Sequence, residues 1–173
     1  MPKLRKFVAY RRLERPYTRV SKYREKSFIR GRPHLTIVKF DFGSPSKIFP
    51  CKVSLISKAD LQIRHNAMES ARITSNKVLE EALGKHYHMK IRMYPHHILR
   101  ENPLAAGAGA DRMSTGMAHP FGKPISAAAR VFKGQTIITI GVERQNIDVA
   151  KRAIKRASYK LPCKCSIVVE GAL

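Results

Sequence analysis

The sequence predicts an α+β fold: a mixed or antiparallel sheet with two main helices packed on one side, a basic N-terminal arm and one long glycine-rich loop. Three observations lead there. Several short segments alternate apolar and polar residues with the period of a strand. Two longer stretches repeat apolar residues at helical spacing. The two kinds of element mix without the strict alternation of a parallel βαβ fold. With 173 residues, 43% of them hydrophobic, a single domain with its own core is expected, over residues 34–173, preceded by an arm at 1–33.

Taken in order, the arm comes first. Met1 to His34 holds twelve Lys or Arg against Glu14 and Glu25, with Phe7, Tyr10, Tyr17, Tyr23 and Phe28 among them and no persistent period. That mixture suits an extended segment ordered by RNA, its cations for phosphates and its rings for bases. Leu35 to Phe42 is rich in β-formers, and Gly43 to Pro50 supplies turn residues. Cys51 to Ile56 alternates as a second strand. Ser57, with Asp60 three residues on, reads as the N-cap of a helix that buries Leu61, Met68, Ala71, Val78, Leu79 and Ala82 and stops before Gly84. Tyr87 to Tyr94 is a strand with Tyr87, Met89, Ile91 and Met93 on its core side and His88, Lys90, Arg92 and Tyr94 opposite. Ala127 to Phe132 and Thr136 to Val142 are two strands joined by a turn at Lys133-Gly134. Asn146 is placed to cap a second helix with Ile147, Ala150, Ile154, Ala157 and Leu161 inward, ended by Pro162. Its outer face carries Lys151, Arg152, Lys155, Arg156 and Lys160, with no acid spaced to offset them. Ser166 to Val169 closes the sheet.

Charge decides the class of partner. Thirty-four Lys and Arg against twelve Asp and Glu give a net charge of +22 and a pI near 10.5. Such a surplus repels itself in a compact body and is best tolerated against a polyanion. A membrane partner would need an amphipathic helix with large apolar residues or a spanning run, and neither is evident. The start, MPKLRKFVAYRR, lacks the apolar stretch of a secretory signal, and three cysteines in a chain this size fit a reducing, cytoplasmic compartment.

Motifs for small-molecule chemistry fail one by one. Residues 101–123, ENPLAAGAGADRMSTGMAHPFGK, form a loop too long for a mere connection. Gly107-Ala108-Gly109 begins like a dinucleotide fingerprint, but Arg112 stands where the third glycine belongs. Gly116 to Lys123 has five residues between its glycines where a phosphate loop has four, and Pro124 replaces the Ser or Thr. His86, His88, His96, His97 and Cys163-x-Cys165 lack zinc spacing, so no metal or cofactor is expected. Asp111 beside Arg112 reads as a local pair, and no nucleophile and base stand together, so no enzyme is expected either.

The loop and its flanks resemble a known family. Ile91 to Asn102 (IRMYPHHILREN), Gly107 to Met117 (GAGADRMSTGM) and His119 to Pro124 (HPFGKP) are similar to the large-subunit ribosomal protein of the "ten-e" type, the archaeal and eukaryotic counterpart of bacterial large-subunit protein sixteen. Pro16-Tyr17-Thr18-Arg19, Phe28 to Gly31, Lys39 to Gly43, Glu69 to Arg72, Ala129 to Val131 and Gly134-Gln135 match the same pattern, so the likeness spans about residues 15 to 165. It implies a two-layer fold of the hammerhead type and a place in the central cleft of the large subunit. The implied partners are ribosomal RNA, tRNA beside the loop and neighbouring ribosomal proteins. The short C-terminal tail matches an archaeal source.

On this reading Arg11, Arg12, Arg15, Arg19, Arg30 and Arg32 of the arm neutralise rRNA phosphates, together with Lys90, Arg92, Lys151 and Arg152 of the body. Arg100 and Arg112 anchor the two sides of the loop, and Asn102, Gly107, Gly109, Asp111 and Gly116 complete its tRNA-proximal part. Two rivals share the basic surface: an RNA-modifying or RNA-chaperone protein outside the ribosome, and a peripheral protein held to anionic lipid.

Overall fold

Four strands repeat apolar residues on one side, and their register stacks those residues into rows. In the computed structural model, which describes residues 4–13, 16–18, 23, 29, 31–103, 107–109, 112, 114, 116–117 and 121–171, β1 is Asp41–Gly43, β2 Cys51–Ser57, β3 Leu61–Arg64, β4 His88–Ile91 and β5 His97–Glu101. Further on lie β6 Lys123–Val131, β7 Thr136–Val142 and β8 Cys165–Glu170. Helix α1 spans His65–Leu83 and α2 spans Ile147–Ser158. Every described pairing is antiparallel, and the strands divide between two sheets, ordered β1-β4-β7-β2-β8 and β3-β6-β5.

Met89 of β4 faces Ile140 of β7, which faces Val53 of β2, which faces Val169 of β8. Ile91, Ile138, Leu55 and Ile167 make the next row. The core sides of these rows pack with Met68, Ala71 and Leu79 of α1 and with Ala150, Ala153, Ile154 and Ala157 of α2 in one apolar cluster. The helices also touch each other, which closes the layer. Alanine dominates the buried stripe of α2, so that helix can approach closely. On α1, Ser75 is fully buried; its hydroxyl donates to Ala71 O at 2.8 Å and lies 3.3 Å from Met89 Sδ. Gly84 closes α1 with φ +59, its N–H donating to Glu80 O.

The strand from Tyr87 onward alternates as its sequence demands: Tyr87, Met89, Ile91 and Met93 are all buried. The strands at 51–57 and 136–142 lie where alternation puts them, and Gly134 turns between β6 and β7 with φ +83. Five expectations need correction. Leu61 does not begin the helix: Leu61–Arg64 is a strand paired with β6, and α1 starts at His65. Ser57 caps nothing; its hydroxyl bonds within its own turn at Ala59, while Asp60 accepts the backbone N–H of Lys133. Of Leu35 to Phe42 only Asp41 and Phe42 enter a strand, and Ala82 points to solvent. Asn146 precedes α2 without a side-chain capping bond.

The sequence predicts one sheet, and the chain forms a second, three-stranded one. β5 pairs with β6 from His97↔Ala128 to Glu101↔Lys123, with a bulge between Leu99 and Arg100. These two strands are the stems of the glycine-rich loop, which is therefore the connection of one long hairpin.

Candidate nucleic-acid interface

Three basic regions can be built from the described residues. The first is the outer face of α2. Its apolar stripe turns Lys151, Arg152, Lys155, Arg156 and Lys160 outward, and all five are exposed. One acid does offset this face, contrary to the spacing argument: Asp148 lies 3.6 Å from Lys151 Nζ, one turn away. Among the described residues Arg152, Lys155, Arg156 and Lys160 have no carboxylate within ion-pair distance. Three uncompensated cations on one helix, with a fourth in the turn after it, are costly in isolation and favourable against phosphate.

The second region is an aromatic platform. Tyr94 lies between Phe40, centroid distance 5.3 Å, and His96, centroid distance 4.5 Å. The Arg32 guanidinium sits 5.5 Å over the Tyr94 ring and donates to its hydroxyl at 3.0 Å. Alternation places Tyr94 on the polar side of its segment, where the ring stays partly exposed while Met93 and Pro95 are buried. Flat cations over exposed rings are surfaces on which bases stack.

The third is the base of the loop, where the N-terminal segment is fastened to the second sheet. Arg5 Nε meets Glu101 Oε1 at 2.5 Å, and the Tyr10 hydroxyl donates to Glu101 Oε2 at 3.3 Å. Gln62 of β3 donates its backbone N–H to Arg11 O and its side-chain amide to Arg12 O. Tyr17 forms a two-bond clip: its N–H donates to His97 Nδ1 at 2.9 Å, and its carbonyl accepts the N–H of Ile98 at 2.8 Å. Arg100 stacks 3.8 Å over the Tyr17 ring and donates to Phe121 O at 2.8 Å, bridging arm, stem and loop. His97 is held down to about 4 by its burial first, then by the charges of Arg130 and Arg100, so it is neutral at pH 7. Glu101 is buried beneath Gly122, whose φ of +83 brings backbone against backbone.

The sequence-predicted residues fall among these regions unevenly. Lys151 and Arg152 lie on α2, Arg32 at the platform and Arg100 at the loop base. Arg11 and Arg12 are exposed beside β3, with Arg11 over the Phe7 ring. Lys90 is partly neutralised by Asp41 at 3.5 Å, which also takes His88, and Arg92 donates to the Thr139 hydroxyl. In the loop, Gly107 and Gly109 adopt positive φ, Arg112 donates its N–H to Gly109 O, and Asn102 and Gly116 flank this turn. Arg15, Arg19, Arg30 and Asp111 lie outside the described residues. Sequence reasoning missed the Arg5–Glu101–Tyr10 knot, for which the partners' separation of about 90 residues leaves no local signal.

His86 is exposed, His88 pairs with Asp41, His96 stacks on Tyr94 and His97 is buried. Among the described residues no three His, Cys, Asp or Glu side chains converge as a metal site would require. No described helix is long and apolar enough to cross a membrane.

Comparison with known proteins gives the same direction across nearly the whole chain. The family model described as ribosomal protein L16p/L10e matches residues 14–168. A protein of Methanococcus maripaludis named large ribosomal subunit protein uL16 is 50% identical over 167 residues, covering 96% of this chain and 94% of that one. The proteins of the same name from Archaeoglobus fulgidus and Methanoculleus marisnigri are 45% identical over 162 residues and 44% over 151. They cover 93% and 87% of this chain, and 90% and 89% of their own lengths.

Proposed function

We propose that this chain, which belongs to the ribosomal protein L16p/L10e family and is a protein of the large ribosomal subunit, acts there as a structural binder of ribosomal RNA. The observation that carries the rRNA contact is the α2 face, where Arg152, Lys155 and Arg156, with Lys160 in the turn that follows, stand exposed without acidic partners beside an otherwise well-packed stripe. Arg11, Arg12 and Arg32, and in the sequence Arg15, Arg19 and Arg30, add further cations for phosphate. Residues 101–123 then approach tRNA near the peptidyl transferase centre, glycines at 107, 109 and 116 permitting close passage. The role is positional and not catalytic, and neighbouring ribosomal proteins complete its surroundings.

Two measurements test the reading. Binding of the full chain to large-subunit rRNA is titrated across salt, beside the variant Arg152→Gln/Lys155→Gln/Arg156→Gln. Removing three phosphate contacts lowers the slope of log K against log salt by roughly 2 to 3; an unchanged slope removes α2 from the interface. A photo-crosslinking residue at Met117, exposed in the loop, is carried into ribosomes bearing tRNA. Crosslinks to the tRNA acceptor end are expected, and crosslinks to rRNA alone would displace the loop from the tRNA path.

A further inference from the structure

The C-terminal end of α2 and the start of β8 bring two thiols face to face. Pro162 and the bend at Cys163 turn the chain back toward the sheet, and Cys165 pairs with Ser57 at the end of β2. Lys164 between them is fixed by its carbonyl, which accepts the N–H of Lys58 at 3.0 Å. The result is an Sγ–Sγ distance of 3.4 Å, with Cys165 Sγ also 3.6 Å from Cys163 O. Both side chains are half-buried against the core edge, so small solutes reach them while the backbone holds them in place. The remaining cysteine, Cys51, is fully buried and donates its thiol to Gly171 O.

We propose that Cys163 and Cys165 form a reversible two-electron redox site, in which a hydroperoxide converts the facing dithiol into an intramolecular disulfide. Nothing in RNA binding uses these thiols, and two sulfurs at this distance need shift by little more than 1 Å to bond at the usual length of about 2 Å. The order of events follows from which thiol ionises. A hydrogen bond from the Cys165 thiol lowers Cys163 to about 7, with the Ser57 hydroxyl adding to it against the opposing effect of burial. Cys165 is pushed up by the sulfur beside it and by burial. The Cys163 thiolate, its proton already released to solvent, attacks one peroxide oxygen; the O–O bond breaks, and the departing hydroxide takes a proton back from solvent and leaves as water. Cys163 is then a sulfenic acid. The Cys165 sulfur attacks the Cys163 sulfur, the S–O bond breaks, and the hydroxyl leaves with the Cys165 proton as a second water. Two thiols and one hydrogen peroxide thus give one disulfide and two waters, and a dithiol reductant reverses the change by exchange.

The test uses the reduced full-length chain, one equivalent of hydrogen peroxide at pH 7, and alkylation under denaturing conditions followed by mass analysis. The expected product is a monomer that has lost its alkylation at Cys163 and Cys165, keeps it at Cys51, and regains all three after dithiothreitol. Cys165→Ser should accumulate a dimedone-trapped sulfenic acid at Cys163, and Cys163→Ser should consume peroxide about tenfold or more slowly. The wild-type result does not depend on either variant folding. Full alkylation of both cysteines after peroxide, oxidation of Cys51 at the same rate, or disulfides formed only between molecules would each overturn the proposal.

Discussion

Acidification should loosen this protein through a single buried imidazole. His97 is only 4% exposed and receives the Tyr17 N–H on Nδ1, so its protonation removes an acceptor and places a cation beside Arg130 and Arg100. Native His97 binds its proton only near pH 4, whereas the unfolded side chain binds it at about 6.5. Between those values the unfolded state holds more protons, so stability rises with pH. The contribution is complete above pH 6.5, drains away as pH falls toward about 4, and changes no further below that. The interval amounts to about 3 kcal/mol, a large share of the usual 5–15 kcal/mol of a domain. Urea unfolding of the wild type and of His97→Asn, whose side-chain oxygen still accepts a hydrogen bond, measures it between pH 7 and 4. His65, also lowered by burial, is common to both proteins and cancels in the difference. Parallel pH dependence in the two proteins, or an NMR midpoint for His97 near 6.5, would refute the reasoning.

Two further perturbations probe the packing around the site. Gly43 has φ +82, and a Cβ there would lie 2.0 Å from Tyr87 O; Gly43→Ala should cost about 2 kcal/mol or more, and an unshifted urea midpoint would contradict the β1–β4 junction. Glu101→Gln weakens the grip on Arg5 and Tyr10, so limited proteolysis within residues 4–13 should quicken several-fold. Cleavage at the wild-type rate would mean that Gln62 and Tyr17 hold the segment unaided.

The parts of the fold legible in the sequence are those where one side of an element meets the core and the other meets water. Residues 87–94 and α2 have that character, and their buried faces follow from period alone. β5 does not: His97, Ile98 and Leu99 are consecutive and all buried, Ile98 packing with Ile29, Ala127, Tyr17 and Leu35 in a small cluster of its own while the Tyr17 backbone bonds to His97 and Ile98. Burial on both faces erases alternation. β3 was hidden differently. A Ser-x-x-Asp pattern ahead of apolar residues suits a capping box, but Ser57 and Asp60 satisfy turn and β6–β7 backbone groups, and the pairing Ile63↔Ala129 lies 66 residues apart in sequence.

The site divides along the same line. Exposed cations on a regular helix can be read from spacing, since the apolar stripe dictates where every other residue points; that is why the α2 face was legible. Cations in an irregular arm have no such reference, and their partners are set by tertiary approach. Arg5 goes to Glu101 and Arg100 goes to Tyr17, so part of the basic surplus is spent inside the protein, holding the loop's stems. Net charge therefore overstates the cations available to RNA, and Lys90 and Lys151, each near an aspartate, are weaker candidates than Arg152, Lys155 and Arg156. The same contacts give the arm a second task. Tyr17 and Arg5 fasten the N-terminal segment to β5 at His97, Ile98 and Glu101, the strand from which the glycine-rich loop projects, so arm and loop base are tied through one strand.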